Sequence, residues 1–597
     1  MIPLGKRKEG TARRLFLVDK TFNGLFIIML VGMLSGMLCP IVDAVITGQF
    51  LGSDAVAATG LLAPVMSLTG VITVLFSTGT NQMCIRAVGK ADLRRVNQIF
   101  STMLLCSAAL CAAAGILMFV LAAPISQSLG ATAGLPVVQF AADYLRGYAF
   151  GLLPMGISIL VNTLLALDND RNRVSVYTLV LLAADIALDL VNVLVVHGGM
   201  FGMALASSLS YLIAFGVTLL HFRKKNRILH FTPDNLNFGD VREVLMIGLA
   251  GVIPRGMHAL RGLVCNYVLL RAGGAGALAA MSVASSALIL YSAVTSSLQS
   301  ITGSVTSLAY GEEDRTSLVR TLRVSLQIGY RVGLVFLILI VALAGPISTL
   351  FLNGGSEETH LQAMRFLRCT MLGNLFMLGC YSINGSLLGT RQLKLNYLVS
   401  ILRDGLWPIL CIALGGLLSG LRGIEAGLVL MGLLSLLSCC LIVWCANRKR
   451  PTSLADFLVL PDDFYLRPED MLEASMQNLR EVTEVSEQAR LFCLKRGESA
   501  KTAQFAALFV EEMAGNTLRH GIKPGRSGVV ELRMIFKPDK RMIRLRDNGK
   551  PFDPVKWLEQ NHPEDPSSAL GIRMVVGMAD SVQYIHSMSL NNLMVFL

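Results

Sequence analysis

Chemistry is first expected at four polar side chains in otherwise apolar stretches: Asp43, three residues after Pro40, and the trio Asp185, Asp189 and Asn192. At helical spacing Asp185 and Asp189 share a face, and Asn192 follows on it. An acid at the centre of a bilayer costs roughly 2.5–3.5 kcal/mol on insertion scales, so each needs a purpose or a partner. Three carboxylates in one bundle could share protons or coordinate Na⁺. The plainer alternative places one or more of them near the water interface or capping polar backbone. A second set lies near the C-terminus, where Glu512 and Asn516 sit one helical turn apart in Phe509-Val-Glu-Glu-Met-Ala-Gly-Asn516. A carboxylate and an amide so spaced can orient a nucleophile and hold a hydrated Mg²⁺, which prefers oxygen ligands. Asp547-Asn-Gly549 follows a strand-like run. There the acid could accept a hydrogen bond from an adenine amino group while the glycine admits the base closely. Taken singly, Asp-Asn-Gly is an ordinary turn sequence.

The elements that must position these residues follow from composition. A chain of 597 residues with 53% hydrophobic and 15% charged residues is no ordinary soluble enzyme. Several windows of twenty or more apolar residues place it in a bilayer as a polytopic protein. The net charge of +12 resides largely in short connectors, which excludes the need for a nucleic-acid partner. The twelve cysteines form no Cys-x-x-Cys or Cys/His cluster, so they are expected to be small buried hydrophobes. Lys6, Arg7, Lys8, Arg13, Arg14 and Lys20 precede an apolar run that continues past Pro40 without a small-residue cleavage site, which predicts a retained first helix.

A duplication organises the membrane part. Adding 222 to Gly52, Ala55, Ala57, Ala58, Thr73, Thr80, Ala87, Gly89, Asp92 and Leu104 gives Gly274, Ala277, Ala279, Ala280, Thr295, Thr302, Ala309, Gly311, Asp314 and Leu326 without a gap; Asn162 meets Asn384 at the same shift. Hydropathy predicts spans at roughly 22–48, 55–85, 96–123, 138–166, 174–196 and 201–222, then roughly 241–271, 277–308, 318–345, 360–388, 393–417 and 424–446. Basic residues gather in alternate connectors, which puts both termini in the cytoplasm of a multi-pass protein expected in the plasma membrane. The expected division is an N-terminal segment 1–20, a first lobe 21–222 and a second lobe 223–447, six helices each, then a linker 448–470 and a soluble domain 471–597. An even helix count gives both lobes the same orientation, which suits a V-shaped exporter. Beyond Asp43, Asp185 and Asp189 the shift lands on Cys265, Trp407 and Cys411, so ion coupling is expected in the first lobe. The second lobe instead carries Arg255, His258, Arg261 and an Arg403-Asp404 pair, whose arginines either face a wet cavity and shape substrate charge or, the plainer reading, snorkel and pair.

The segment Pro40-Ile-Val-Asp43-Ala-Val-Ile-Thr-Gly48, the run Leu51-Gly-Ser-Asp-Ala-Val-Ala-Ala-Thr-Gly60, the connector Gly89-Lys-Ala-Asp92 and Gly199-Met-Phe-Gly-Met-Ala-Leu-Ala206 together resemble the multidrug and toxin extrusion (MATE) family. The resemblance covers residues 20 to 446. It implies cation-coupled antiport, with H⁺ or Na⁺, exporting amphipathic organic cations or other small solutes. It also places Asp43 and Asp189 on the family's acidic positions. Asp185 stands where relatives often carry Asn.

After Arg448-Lys-Arg-Pro451 the composition becomes that of a soluble α+β domain. Amphipathic helices are expected near 478–496 and 500–520, strands at 528–536 and 541–546, and a last helix after Ala569-Leu-Gly571, with strands from Ser581 and Asn592 closing the chain. The order and spacing resemble the GHKL ATP-binding fold, an α+β sandwich, and most of all the anti-sigma-factor serine kinases. The resemblance implies Mg-ATP as cofactor, Glu512 as general base, Asn516 as Mg²⁺ ligand, Asp547 and Gly549 as adenine contacts, and Gly571 in the lid over the phosphates. A glycine usual near Ala569 is missing, and Ser589-Leu-Asn-Asn-Leu lacks the Gly-Thr signature, so nucleotide binding is expected before phosphotransfer. No P-loop is present, since Gly497-Glu-Ser-Ala-Lys501-Thr has the wrong spacing.

Two functions compete on these grounds. One is an exporter of small organic or drug-like solutes with a regulatory ATP-binding domain, contacting membrane lipid and no nucleic acid. The other is a membrane-anchored signalling protein whose tail binds or phosphorylates a regulatory protein partner on serine or threonine.

Overall fold

A computed structural model describes residues 16–597 except 52, 91, 130–134, 166, 169, 224–226, 352–356, 462–463, 465–467, 523–527, 538–539, 562–568 and 588–589. The expected N-terminal basic residues Lys6 to Arg14, and Ser589, lie outside the described residues. The first repeat unit contains α1 (Phe16–Phe50), α2 (Ser53–Gly89), α3 (Leu93–Val120), α4 (Ala122–Leu129), α5 (Leu135–Ala149), α6 (Leu152–Leu165), α7 (Arg171–Val191) and α8 (Gly199–Leu219). The span expected at 138–166 is bent by 52° between α5 and α6. Pro154 has no N–H to give the Phe150 carbonyl, and Gly151 packs so closely on Ser208 that a Cβ there would come within 2.7 Å of its Oγ.

The second unit contains α9 (Asp240–Gly311), α10 (Arg315–Phe351), α11 (Glu357–Gly389), α12 (Leu393–Ile401) and α13 (Trp407–Asn447). Helix α9 is two helices joined at Gly273 and Gly274, the latter with φ +63°, and α13 breaks likewise at Gly420 with φ +57°. Only glycine adopts such backbone without strain, and both breaks fall where the sequence predicts a gap between spans. Among the described residues, eight helices are long and apolar enough to cross a membrane, or nine with the bent pair taken as one span. That is fewer than the twelve expected. The shortfall includes α2 and the second part of α9, which carry Thr73, Ser77, Thr80, Asn81, Gln82, Thr295, Ser297, Thr302 and Ser304, all buried. These two helices pack on each other, and small polar residues suit helix–helix contact better than lipid.

The two units meet along α2 and α9. Glycines let the backbones touch: a Cβ on Gly79 would come within 2.1 Å of the Val244 carbonyl, and one on Gly248 within 2.0 Å of that of Leu75. Buried polar pairs accompany them, Asn81 Nδ2 donating to Ser304 Oγ at 3.5 Å and Ser307 Oγ to Gln82 Oε1.

The soluble part is a five-stranded antiparallel sheet of β1 (Met471–Met476), β2 (Val530–Lys537), β3 (Lys540–Asp547), β4 (Ser581–Ser587) and β5 (Leu590–Phe596), in the order β1-β2-β3-β5-β4. Strand β1, at the sheet edge, is not anticipated by the sequence reading; its short run Met-Leu-Glu-Ala-Ser-Met alternates too weakly. Helices α14 (Leu479–Lys495), α15 (Ala500–Phe509), α16 (Pro554–Asn561) and α17 (Leu570–Met578) complete the domain. Asn478 starts α14 by accepting from the Glu481 N–H at 3.0 Å, and Ser499 starts α15 by accepting from Thr502. The period of two then sorts the sheet. Leu532, Met534, Ile543, Leu545, Leu593 and Val595 face a core shared with α14, α15 and α17. The intervening Ile535, Met542 and Met594, with Ile585 of β4, join the core of the membrane helices.

Candidate functional site

The first candidate site lies in the first unit between α1, α5, α7 and α8. Asp43 lies within α1. The Asp43 carboxylate lies against those of Asp185 and Asp189. Asp189 is fully buried and Asp185 is 5% exposed. Ser210 Oγ of α8 donates to Asp185 Oδ1 at 3.0 Å. Both carboxylate oxygens of Asp189 and Oδ1 of Asp43 are buried with no hydrogen-bond donor among the described residues. Oxygens in that state are costly as they stand, and a proton or a small cation is the kind of group such an arrangement could accept.

Two tyrosines missed by the sequence reading border the cluster. Tyr144 lies close enough to feel all three carboxylates, and its ring stacks on Tyr148 at 6.2 Å. Their spacing of four on α5 is the signal that would have found them. Asn192 is used differently from the expectation. Its Oδ1 accepts from the Gly198 N–H at 3.1 Å and its Nδ2 donates to the Gly199 carbonyl at 3.2 Å. It thereby closes the widened turn Asn192–Val196 onto the start of α8, and its amide is committed to backbone rather than to the acids.

In the second unit the paired reading of the arginine holds for Arg403. Its Nε and Nη2 donate to Asp404 at 2.9 and 2.6 Å, and its guanidinium lies 3.8 Å from the Tyr381 ring centre. Among the described residues Arg255 shows no such carboxylate pair. Its Nη1 reaches α2 of the other unit, where a Cβ on Gly70 would stand 3.2 Å from it.

The second candidate site lies in the soluble domain, on the helix face of the sheet. Helix α15 widens into the turns Val510–Ala514 and Thr517–Gly521, where a regular helix to residue 520 is expected. Such turns recur at functional sites and still keep Glu512 and Asn516 near one face. Both side chains are half-buried. Gly571, opening α17, sits on Glu512: a Cβ there would fall 2.2 Å from the carboxylate. Asp547 ends β3 on the same face. Its Oδ1 accepts from the Gly549 N–H and from Asn591 Nδ2, both at 2.7 Å. Burial pushes its carboxyl up to about 6, against the opposing pull of the Asn591 and Gly549 donors.

Lys550 N–H donates to the Gly521 carbonyl at 2.8 Å, tying the widened helix end to the Asp-Asn-Gly turn. The structure thus groups Glu512 with Gly571, and Asp547 with Gly549, at two ends of one surface. Asn591 is the residue that sequence reasoning overlooked. Its Oδ1 accepts from the Tyr584 hydroxyl at 2.8 Å, so its amide is fixed from both ends. Half-buried Glu512 and Asn516, a buried carboxylate and a close-approach glycine form a donor set that fits a magnesium nucleotide.

Comparison with known proteins bears on both regions. The MatE family model matches residues 29–191 and 257–411, more than half of the chain. The model for the histidine kinase-like ATPase domain matches residues 472–595. The chain is 25% identical over 370 residues to the "Probable multidrug resistance protein YoeA" of Bacillus subtilis (strain 168), covering 60% of this chain and 76% of that one. Among solved structures, one of an outward-facing multidrug resistance MATE family transporter of the MOP superfamily superposes with a TM-score of 0.65 at 20% identity, over 70% of this chain and 94% of that one. A MOP superfamily transporter from Pyrococcus furiosus, described as having a binding pocket of reversed polarity, gives 0.63 at 20% identity, over 70% and 95%. At such identities the superpositions speak for the fold. With the acid cluster in its first unit and an ATPase-like sheet at its end, the chain belongs to the MatE family of multi-pass membrane transporters and carries a fused C-terminal histidine kinase-like ATPase domain.

Proposed function

We propose that the protein is a cation-coupled antiporter that exports small organic or drug-like solutes and is regulated by an ATP-binding domain. It has twelve spans in two six-helix lobes, 21–222 and 223–447. Both termini are cytoplasmic, and a linker 448–470 leads to a GHKL-type sandwich at 471–597. One observation carries the reading: Asp43 and Asp189 place buried, donorless carboxylate oxygens beside Asp185. A proton or Na⁺ entering from outside neutralises this cluster. A cluster so neutralised no longer repels itself, and the lobe repacks between its two arrangements while solute leaves. Tyr144 and Tyr148 wall the cluster on the α5 side, and Ser210 orients Asp185.

In the soluble domain Asn516 would hold Mg²⁺, with Glu512 turned to the same face. Asp547, kept in place by Asn591, would take the adenine amino group. Bound Mg²⁺ would offset the charge of the phosphates. The chain's own residues supply adenine recognition and close approach, which suits a sensor.

Efflux of a fluorescent organic cation from vesicles, under imposed proton or sodium gradients, tests the reading. Flux that disappears in Asp43→Asn but survives truncation after Arg450 supports an exporter with an attached regulator. No flux under either gradient, from any form, would sink it.

A further inference from the structure

The sheet face opposite the nucleotide site is occupied by the membrane part of the same chain. On β2 and β3 that face presents Arg533, Arg544 and Arg546, each at most 4% exposed. Within the sheet Arg546 Nη2 lies 2.6 Å from Glu531 Oε2 and Arg533 Nη1 3.1 Å from Glu473 Oε1; beyond it all three reach the connector between α9 and α10. Arg544 Nη1 lies 2.7 Å from Glu312 Oε2 and its Nη2 3.2 Å from Asp314 Oδ2. Arg533 Nη1 lies 2.7 Å from Asp314 Oδ1, and Arg546 Nη1 3.1 Å from Glu312 Oε2. Arg533 also donates to the Glu313 carbonyl, and Lys537 Nζ lies 3.3 Å from Glu313 Oε2. Burial disfavours charge on Asp314, yet the three guanidiniums outweigh it and hold its carboxyl well below the usual range.

The duplication shows that this acidity is particular to one connector. Asp92 and Asp314 play the same local part, each accepting from the N–H three residues on, at the start of α3 and α10. Between them and the matched glycines, the first unit has Lys90-Ala91 and the second Glu312-Glu313. Acid therefore stands where the arginines land and base where they do not.

The same sheet also reaches the first unit. Val529 and Leu590 bury against Leu17 of α1, and Ser587 Oγ donates to the Leu167 carbonyl at 2.6 Å. A cavity of about 270 Å³ between Lys90, Glu312 and Arg544 marks where the three parts meet, beside the crossing of Gly89 and Gly311.

We propose that the soluble domain is a clamp: anchored on Glu312, Glu313 and Asp314 of the second unit and bridged to the first through Leu17 and Leu167, it holds the two units together at its end of the molecule. This deepens the regulatory reading above and rests on it. For the units to part at that end, the bridge to the first unit must open.

The test uses the full-length protein in nanodiscs, with spin labels on unnatural amino acids at Arg94 and Lys394, one exposed site in each unit. Leu590→Glu should move the label distribution about tenfold toward long separations, and Arg544→Glu should do the same by freeing the anchor. Cross-linking Leu17→Cys to Leu590→Cys with an oxidant should leave only the short separation, and reductant should restore the rest, with each single cysteine variant as control. The clamp is overturned if the cross-linked protein still reaches the long separation. It is equally overturned if Leu590→Glu exposes the 448–470 linker to protease while the distribution stays put. Distances are read rather than flux, so a failure of the exporter reading shows separately, as absent efflux with the distances still responding.

Discussion

Gly89 and Gly311, matched positions of the two repeat units, touch each other across the interface between them. A Cβ on Gly89 would stand 2.5 Å from the Leu308 carbonyl and one on Gly311 2.4 Å from that of Arg86, and residues 86 and 308 are again a matched pair. The contact is therefore reciprocal about the axis relating the repeats, which gives the duplicated glycines a reason: two backbones cross where no side chain fits.

Because the obstructing atoms are backbone, Gly89→Val should cost roughly 1–3 kcal/mol of this contact and not be relieved by a rotamer change. The expected outcome is a shift toward separated units at that end, about tenfold or more. Distances between labels on Arg94 and Lys394 would measure it. An unchanged distribution would show that the crossing does not hold the units.

For the acid cluster, Asp189→Asn supplies its own N–H donors where the wild-type oxygens have none. Ion-driven efflux should fall at least about tenfold, while thermal stability of the detergent-solubilised protein should hold or rise, since one of three crowded buried carboxylates is removed. Asp43→Asn should behave alike. Asn192→Ala should instead lower stability by about 1 kcal/mol, through the opened turn at Gly198 and Gly199, and leave the coupling ion unchanged. Loss of ion selectivity in Asn192→Ala would place that amide back among the ion ligands.

How much of this was legible in the sequence depends on the kind of signal. Apolar stretches and the 222-residue shift are legible because hydropathy is local and self-similarity needs only the sequence, yet among the described residues eight or nine helices meet the length and hydropathy of a span where twelve are expected. The chain breaks at Gly274 and Gly420 fell where a gap was expected for the same reason. The bend at Gly151 was missed: Pro154 was visible, but the Ser208 contact that lets the chain turn there is 57 residues away. Asp43, Asp185 and Asp189 stood out because acids are rare in apolar runs. Asn192 did so too, and misled, since a helix-end amide and an ion ligand look the same in one dimension. Tyr144, Asn591 and the arginines of β2 and β3 acquire their partners only by folding. Arg544 meets Glu312 across 232 positions, a pairing that no periodicity encodes.

The raised carboxyl of Asp547 fixes a pH dependence. An adenine amino group needs the ionised acid as acceptor, so nucleotide affinity should be full near pH 8 and fall toward tenfold per unit once pH drops below about 6. The sign follows from the folded group holding its proton to higher pH than a free carboxyl. Asp547→Asn should bind weakly and without that slope. Equilibrium binding of a fluorescent ATP analogue between pH 5 and 8 would measure it; a flat wild-type profile would mean that another group contacts the base.

Asn591 offers the sharpest separation of adenine recognition from metal binding. Its Nδ2 serves Asp547 at 2.7 Å and lies 3.2 Å from the carbonyls of both Gly549 and Lys550, so one amide holds the acid and the turn beside it. Asn591→Ala leaves Asp547 with only the Gly549 N–H and removes the amide from both carbonyls, at a cost of roughly 1–3 kcal/mol, and should weaken ATP and adenosine alike by about tenfold or more. Asn516→Ala removes only the expected Mg²⁺ ligand. It should weaken Mg-ATP by about tenfold while leaving adenosine, and ATP in the presence of chelator, within about twofold of wild type. Calorimetric titration of the full-length protein with these three ligands distinguishes the cases. Were Asn516→Ala to weaken adenosine as strongly as Mg-ATP, the amide would belong to the base pocket and the metal would have to be held by Glu512.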